Sequence, residues 1–441
     1  LRLMLSLHRD NSGARKIFSH HDLFPLIGIP TFDDKSRSRH SDAALWQLLT
    51  DRLDEVALRV SRCKRSSLSK NVRLLGRRMG LSSAEREVLF FACVLIAQSK
   101  FFDFLDSLNL YCNADRAGQL VATMLNLPLS GVQAALAPGG ILRRSGLIAV
   151  GQGIQQLSSK VRFEELFADI LMSKHRNADA LLNCFFRESA RSSLNASHFP
   201  HVSQHIELLA PLLSHAAIGK EGGINILIHG VPGAGKTEFA RVLAEMAGIA
   251  LYEVRCTDME GQSVKGSERF AAYQLCQNIL HNSNRTAVLF DEIEDVFPSN
   301  GGPMFLSLSG NQRQPRQHGK AWVNRILETN SVPSIWISNE IDGIDPAYLR
   351  RFSVILEFPK PARSVRSTIT AEHLHGLPIS DACIDRLAGN ESLTPGQISI
   401  AARAIRIREP GNERDAERML ESVLNGSLRA INGDGLKQNR T

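Results

Sequence analysis

The sequence predicts an α/β protein: a three-layer αβα core on a five-stranded parallel sheet, with a mostly helical region before it and further helices after it. Three observations carry that expectation. Between residues 224 and 358, short β-branched runs alternate with longer runs that are apolar at helical spacing, the order that builds a parallel sheet with ligands beyond its strand ends. The first run, Ile224-Asn225-Ile226-Leu227-Ile228-His229, leads straight into Gly230-Val231-Pro232-Gly233-Ala234-Gly235-Lys236-Thr237, which fills the phosphate-loop pattern G-x-x-x-x-G-K-[ST] without a mismatch. A later run, Thr286-Ala287-Val288-Leu289-Phe290, ends on the carboxylate pair Asp291-Glu292.

Residues 1–195 make up the helical region. Leu45, Leu48, Leu49, Leu53, Val56 and Val60 recur at three- and four-residue steps behind Ser41, which predicts a helix over 41–60. Ser82-Ser83-Ala84-Glu85 is a capping box that opens a helix through Val88, Phe91 and Leu95. A helix spans 114–126, and another follows Ser130 until Pro138-Gly139-Gly140 breaks it. The run from Ile141 to Ile148 then reads as two short β segments about a turn. Helices ending in a small hairpin describe a winged-helix-like module; a plain helical bundle fits the pattern equally, and both stay open. Arg62-Cys63-Lys64-Arg65, Arg77-Arg78 and Arg143-Arg144 suit a phosphate backbone, although such charges more often form a solvated face.

Residues 196–360 hold the core. His201 and His205, close behind His198, are four apart and would share a helix face as metal ligands do, but no Cys or acidic residue completes a zinc pattern. A helix over 203–218 leads through Gly222-Gly223 to the first strand. In the phosphate loop, glycines let backbone N–H groups curl round phosphate oxygens, and the helix from Glu238 to Ala247 adds the positive end of its dipole. Lys236 suits the β- and γ-phosphates, and the Thr237 hydroxyl suits Mg²⁺. A nucleotide is therefore expected against Gly230, Val231, Pro232, Gly233, Ala234, Gly235, Lys236, Thr237 and Glu238. A strand over 250–255 and a helix over 267–281 come next. At the end of the strand that follows, Asp291 suits the Mg²⁺ shell beside Thr237, and Glu292 is placed to polarise a water that attacks the γ-phosphate. Residues 299–319, rich in Gly, Ser, Gln and Pro, predict a mobile loop on the nucleotide face. After it come a helix over 320–328, a strand over 333–339 ending on Asn339, a short helix that ends in Arg350-Arg351, and a fifth strand over 354–358. Residues 361–430 read as helices separated at Gly376, Pro378, Thr394-Pro395 and Pro410-Gly411, and residues 431–441 as a frayed tail.

In this order and at this spacing, the phosphate loop, the Asp291-Glu292 strand, the strand-end Asn339 and Asp345-Pro346-Ala347-Tyr348-Leu349-Arg350-Arg351-Phe352 resemble an AAA ATPase of the AAA+ superfamily. The resemblance runs over residues 200–410, and the stretch from Trp322 to Phe352 is similar to bacterial AAA-family ATPases with a helical N-terminal domain. It implies that Asn339 is sensor 1, which orients the lytic water. It implies that Arg350 or Arg351 is the arginine finger, which reaches into a neighbouring subunit's site, so that the active form is a ring, most often a hexamer. Gly396 falls at sensor 2, near adenine or ribose, and residues 361–430 fall where the family carries a helical lid. Two positions depart from the family. Members that thread protein carry an aromatic residue where this chain has Ser263-Val264-Lys265-Gly266. Sensor 2 lacks its arginine, with Arg403 a turn or two further on.

Composition sets bounds. A chain of 441 residues allows two to three domains. The net charge of +7 permits an acidic partner without locating one. Seven cysteines, scattered and never in C-x-x-C spacing, argue for reduced thiols in a cytosol and against a zinc site. The longest apolar run, Val88 to Ala97, falls short of the roughly 20 residues that cross a bilayer, and Leu1-Arg2-Leu3-Met4-Leu5 lacks a secretory cleavage site. A cytoplasmic protein away from membranes is the expectation. Because residue 1 is Leu, either initiation used an unusual codon or the start lies upstream. The function expected is ATP hydrolysis with Mg²⁺, driving conformational work on a macromolecular client, with protein favoured over DNA. The alternatives are action on DNA, a nucleotide-gated scaffold that hardly hydrolyses, and phosphate transfer to an acceptor.

Overall fold

The computed structural model describes residues 42–62, 66–192, 194–219, 221–258, 260–264, 266–297 and 317–432. Of the expected loop over 299–319, residues 299–316 lie outside the described residues and 317–319 are helical; of the expected tail over 431–441, residues 433–441 lie outside them and 431–432 are helical; Lys265 also lies outside them. The chain divides into two compact units. The first holds the residues up to Phe186 with Thr257–Val264 and Glu268–Ile279; the second holds Arg187–Cys256, Lys265–Ser267 and everything from Leu280 on.

The first unit is mainly helical: α1 (Asp42–Arg62), α2 (Ser67–Met79), α3 (Ser83–Ala97), α4 (Ser99–Ser107), α5 (Ala114–Leu125), α6 (Leu129–Leu136), α7 (Ile141–Arg144), α8 (Leu157–Lys160), α9 (Glu165–Met172) and α10 (Ala178–Leu182). Helix α3 opens on the expected capping box: the Glu85 N–H donates to Ser82 Oγ at 3.2 Å, and the Ser82 N–H to the Glu85 carboxylate at 2.8 Å. Val88, Leu89, Leu95, Phe167 and Leu171 are almost wholly buried, each contributing about 1.5–3 kcal/mol of transfer free energy. Burial pushes the Cys93 thiol up to about 12, which makes it an inert core residue.

The expected hairpin over 141–148 is not formed. Ile141–Arg144 is a single helical turn with Leu142 buried, Gly146 turns the chain at φ 71°, and Leu147 and Ile148 pack inward. The adjacent Leu147 and Ile148 are both buried, whereas neighbours on a strand with one covered face would alternate between core and solvent. The strands lie beside this run as two antiparallel pairs, β1 (Tyr111–Cys112) with β3 (Gln155–Gln156) and β2 (Ala149–Val150) with β4 (Val161–Arg162).

The chain then enters β5 (Phe186–Glu188), α11 (Ser203–Gly219), β6 (Asn225–His229), α12 (Lys236–Met246), β7 (Ala250–Val254), α13 (Gly266–Leu280), β8 (Thr286–Phe290), α14 (Gln317–Thr329), β9 (Ser334–Ser338), α15 (Pro346–Leu349) and β10 (Val354–Glu357). The sheet runs β10-β6-β9-β8-β7-β5, and β10, β6, β9, β8 and β7 are parallel throughout. These are the five expected strands. The sixth, β5, is a three-residue edge whose Phe-Arg-Glu sequence has no strand period to find.

Helices cover both faces, which explains why the central strands read as unbroken apolar runs. On one face Ile226, Ile228, Leu289, Ile335 and Ile337 pack with Leu209 and Leu213 of α11 and Phe239 and Leu243 of α12. On the other, Trp336 stacks on Phe290 at 5.1 Å between centroids and meets Phe297 and Phe352 edge-on. Its indole N–H donates to Asn225 Oδ1 at 2.9 Å, and Asn225 Nδ2 donates to the Leu327 carbonyl of α14 at 2.6 Å, so the buried polar pair is satisfied. Four helices follow, α16 (Arg363–Leu374), α17 (Asp381–Ala388), α18 (Pro395–Arg408) and α19 (Glu413–Asn432), around a core that includes Leu374, Leu387, Ile398, Ile405, Leu420 and Leu424.

Candidate nucleotide site

The loop between β6 and α12 turns through three glycines at positive φ, Gly230 at 154°, Gly233 at 74° and Gly235 at 99°. Two of them are also crowded. A Cβ on Gly230 would stand 2.5 Å from the Phe358 carbonyl oxygen, and one on Gly233 would stand 2.7 Å from Thr394 Oγ1. Only glycine follows this path, which leaves the backbone bare for a ligand. Gly235 caps α12, which therefore starts at Lys236 with its N-terminus towards the loop. Ala234 is buried, while Val231 is half-buried and Pro232 exposed.

Lys236 is 5% exposed and its ammonium is shared among three oxygens: the Gly230 carbonyl at 2.7 Å, the Val231 carbonyl at 2.9 Å and Asn339 Oδ1 at 3.0 Å. Burial holds its pKa below the ordinary lysine value, and the Asp291 and Glu294 carboxylates oppose that shift. The contact fixes the Asn339 amide. A lysine only donates, so the atom facing it is the oxygen and the NH₂ is left for another acceptor. Thr237 Oγ1 donates to Asp291 Oδ2 at 2.7 Å, which sets a hydroxyl beside a carboxylate. Glu292 follows at φ 53°, exposed, with its N–H donating to Asp291 Oδ1 at 2.9 Å. A side-chain residue in the left-handed region is uncommon and marks a position held by its surroundings.

Gly396 lies against the same loop, its N–H donating to the Gly233 carbonyl at 3.3 Å from the first turn of α18. Glu238 is turned elsewhere: its carboxylate accepts from Arg241 at 2.5 Å and from the Ser192 hydroxyl at 2.7 Å, and Arg241 also reaches Glu253 at 2.7 Å. Arg350 and Arg351 form the exposed end of α15. Arg351 pairs with Glu328 at 2.8 Å, while Arg350 makes no ion pair among the described residues.

Two features, Glu294 and Phe199, were not legible as site residues, whereas Thr394 belongs to the stretch expected at sensor 2. Glu294 receives the Asn339 N–H and, at 3.1 Å, the Ser338 hydroxyl; an acidic residue two places beyond Asp291-Glu292 was the available signal. Phe199 lies beneath Gly235, and Thr394 beneath Gly233. The histidines have separate surroundings: His201 stands 5.5 Å from the Phe358 ring, and His198 pairs with the Glu372 carboxylate at 3.2 Å.

Residues 226–360 match the family described as ATPase family associated with various cellular activities, or AAA. This segment is an AAA domain. Around it the chain is 26% identical over 206 residues to a 26S proteasome regulatory subunit homolog of Methanothermobacter marburgensis, which covers 46% of this chain and 50% of that protein. It is 28% identical over 194 residues to ATP-dependent zinc metalloprotease FtsH 1 of Conexibacter woesei, covering 41% and 27%. It is 29% identical over 158 residues to Protein SAV of Sulfolobus acidocaldarius, covering 35% and 20%. The chain thus spans between a fifth and a half of the length of these three curated relatives. Among solved structures, a chain of the E. coli MS115-1 HORMA:CdnC:Trip13 complex aligns with a TM-score of 0.39 and 17% identity, over 55% of this chain and 95% of that one.

The AAA domain fits the nucleotide and cation that the family implies. Its loop has no room for a Cβ at Gly230 or Gly233, and Thr237 with Asp291 offers two adjacent oxygens of the hard type that Mg²⁺ takes together with phosphate and water.

Proposed function

We propose that the AAA domain binds ATP with Mg²⁺ and hydrolyses it to do conformational work on a macromolecular partner, a protein by preference, as a homo-oligomeric ring. The observation that carries this reading is the convergence of Lys236, Thr237, Asp291, Glu292 and Asn339 at one end of the parallel sheet. When bound, Mg²⁺ would neutralise phosphate charge, held by Thr237 and Asp291. Lys236 holds the phosphates, and the loop N–H groups orient them. Glu292 accepts a proton from the attacking water, and Asn339 positions that water through its NH₂.

Arg350 is the better finger of the two. It is exposed and makes no ion pair among the described residues, whereas Arg351 is engaged by Glu328. A ring supplies that guanidinium from a second copy and makes turnover depend on assembly. The relatives named as a proteasome regulatory subunit homolog and an ATP-dependent zinc metalloprotease support a protein as partner. A cytoplasmic location agrees with six described cysteines that form no disulfide, and no single described helix is long and apolar enough to cross a membrane.

The test is single-turnover hydrolysis by Glu292→Gln. Hydrolysis should fall by roughly 10³-fold while Mg²⁺-ATP binding changes by less than about 3-fold, since the amide cannot take the proton but keeps the shape. Unchanged hydrolysis in the variant, or labelled phosphate moving to an acceptor instead of water, would overturn the proposal.

A further inference from the structure

The carboxylate of Glu294 stands outside the phosphate loop and the Asp291-Glu292 pair, yet it holds the backbone of Asn339, whose side chain meets the loop lysine. Glu292 at φ 53° swings the chain out of β8 into a single tight turn over Ile293–Asp295. Ile293, Val296 and Phe297 anchor that turn in the core, at 0–1% exposure, so the turn cannot drift. Glu294 faces the end of β9 from it. Its Oε1 accepts from the backbone N–H of Asn339 and from the hydroxyl of Ser338 at 3.1 Å. The same Ser338 oxygen accepts from the Glu340 N–H at 3.2 Å and stands 2.5 Å from the Glu340 carbonyl oxygen, so its one proton is shared between that carbonyl and the carboxylate, and the direct hold of Glu294 is on the Asn339 backbone. At the other end Asn339 Oδ1 takes the Lys236 ammonium at 3.0 Å.

We propose that Glu294 is a positioning residue for hydrolysis: it fixes the backbone at Asn339 so that the Asn339 amide presents its NH₂ to the reacting centre. The proposal rests on the reading of the site as hydrolytic. A charge-assisted bond to a backbone N–H is among the stronger hydrogen bonds available. It acts on a residue whose side chain has only two rotatable bonds, Cα–Cβ and Cβ–Cγ, so the backbone largely sets where the amide lies. Without it the strand end would be free to shift, and displacement of about 1 Å at such a group lowers rate by about 10²-fold. The carboxylate does not itself reach the phosphates in this scheme; it acts through Asn339.

The experiment uses the full chain and Mg²⁺-ATP, comparing Glu294→Ala, Glu294→Gln and Asn339→Ala. Glu294→Ala should slow single-turnover hydrolysis by roughly 30–100-fold with nucleotide Kd within about 3-fold, because the loss falls on orientation and not on the phosphate cradle. Glu294→Gln should recover much of the rate, since its amide oxygen still accepts from both donors. The double variant Glu294→Ala/Asn339→Ala should be no slower than Asn339→Ala alone, the mark of two residues acting through one group. Additive losses, or a Glu294→Ala enzyme at the wild-type rate, would overturn the proposal while leaving hydrolysis itself intact. Backbone hydrogen exchange of the 337–340 segment gives a readout independent of turnover: faster exchange in Glu294→Ala is expected, and unchanged exchange would overturn the proposal even if the wild-type protein proved not to hydrolyse ATP.

Discussion

Lys236 and Arg350 are both cations at the edge of one parallel sheet, and they are held in opposite ways. Lys236 is buried and meets three oxygens of its own chain. Arg350 is exposed at the end of a four-residue helix and makes no ion pair among the described residues. Taking an ammonium out of water costs several kcal/mol unless acceptors replace its hydration, so the Lys236 geometry is fixed by the fold. An exposed guanidinium keeps its hydration and its freedom. The contrast teaches how the proposed labour is divided: the chain builds its anion cradle internally and presents the remaining charge outward, where only another molecule can use it.

The sharpest way to break this contrast is to remove the outward charge. Arg350→Ala should lower kcat of the assembled protein by roughly 10³-fold, the scale of an arginine supplied to a phosphoryl transition state, with thermal stability unchanged. Arg351→Ala should lower kcat by less than about 5-fold, because an exposed pair such as Arg351–Glu328 contributes at most about 1 kcal/mol. Mixing each variant with wild type decides between a shared site and a private one. Turnover that drops faster than the fraction of Arg350→Ala subunits supports sharing; a strictly proportional decline counts against it.

The converse variant strikes the inward side. Gly230→Ala forces a side chain to φ 154° and sets its Cβ 2.5 Å from the Phe358 carbonyl. It should cost about 2–4 kcal/mol of stability and abolish measurable nucleotide binding, both read in one thermal-shift titration with and without Mg²⁺-ATP. If Gly230→Ala bound nucleotide at wild-type affinity, the loop would not be the cradle.

How far the sequence reached follows the same division. The phosphate loop, Asp291-Glu292 and Asn339 were legible because each stands at a fixed step from an apolar strand, and a five-residue strand bounded by a helix leaves little freedom of register. Glu294 was not legible as a site residue, since its meaning lies in a turn that reaches β9, 45 residues away in sequence. Edge strand β5 was missed because three residues carry no periodicity, and its place is set by neighbours: Ser189 N–H to the Leu251 carbonyl, and Arg241 bridging Ser189 and Glu253. At residues 141–148 the turn signals were read correctly but the strand assignment was wrong, because 141–144 closes a helical turn with Leu142 buried and the paired strands form just beyond it. Two adjacent arginines gave no ground for choosing between them as the proposed finger, and the preference for Arg350 in that proposal draws on the Arg351–Glu328 contact.

The smallest effect separates the two sides by pH. His201 packs against Phe358 and Phe199, both ring nitrogens are shielded from solvent without a hydrogen-bond partner among the described residues, and Phe199 in turn lies under Gly235. Burial holds the His201 pKa below the ordinary histidine value. In the unfolded chain the ring titrates near its usual value of about 6.5, so below that pH the unfolded state binds more protons than the folded one. Stability therefore declines as pH falls from about 6.5 towards the lower folded value, and is unaffected by His201 well above it. His201→Phe removes the titrating ring and an unsatisfied polar group, and should raise stability by about 1 kcal/mol while flattening the loss between pH 8 and 5.5. A variant with the full wild-type pH slope would show that another group, such as His229 or His373, whose pKa burial also lowers, governs acid sensitivity in place of the histidine under the cradle.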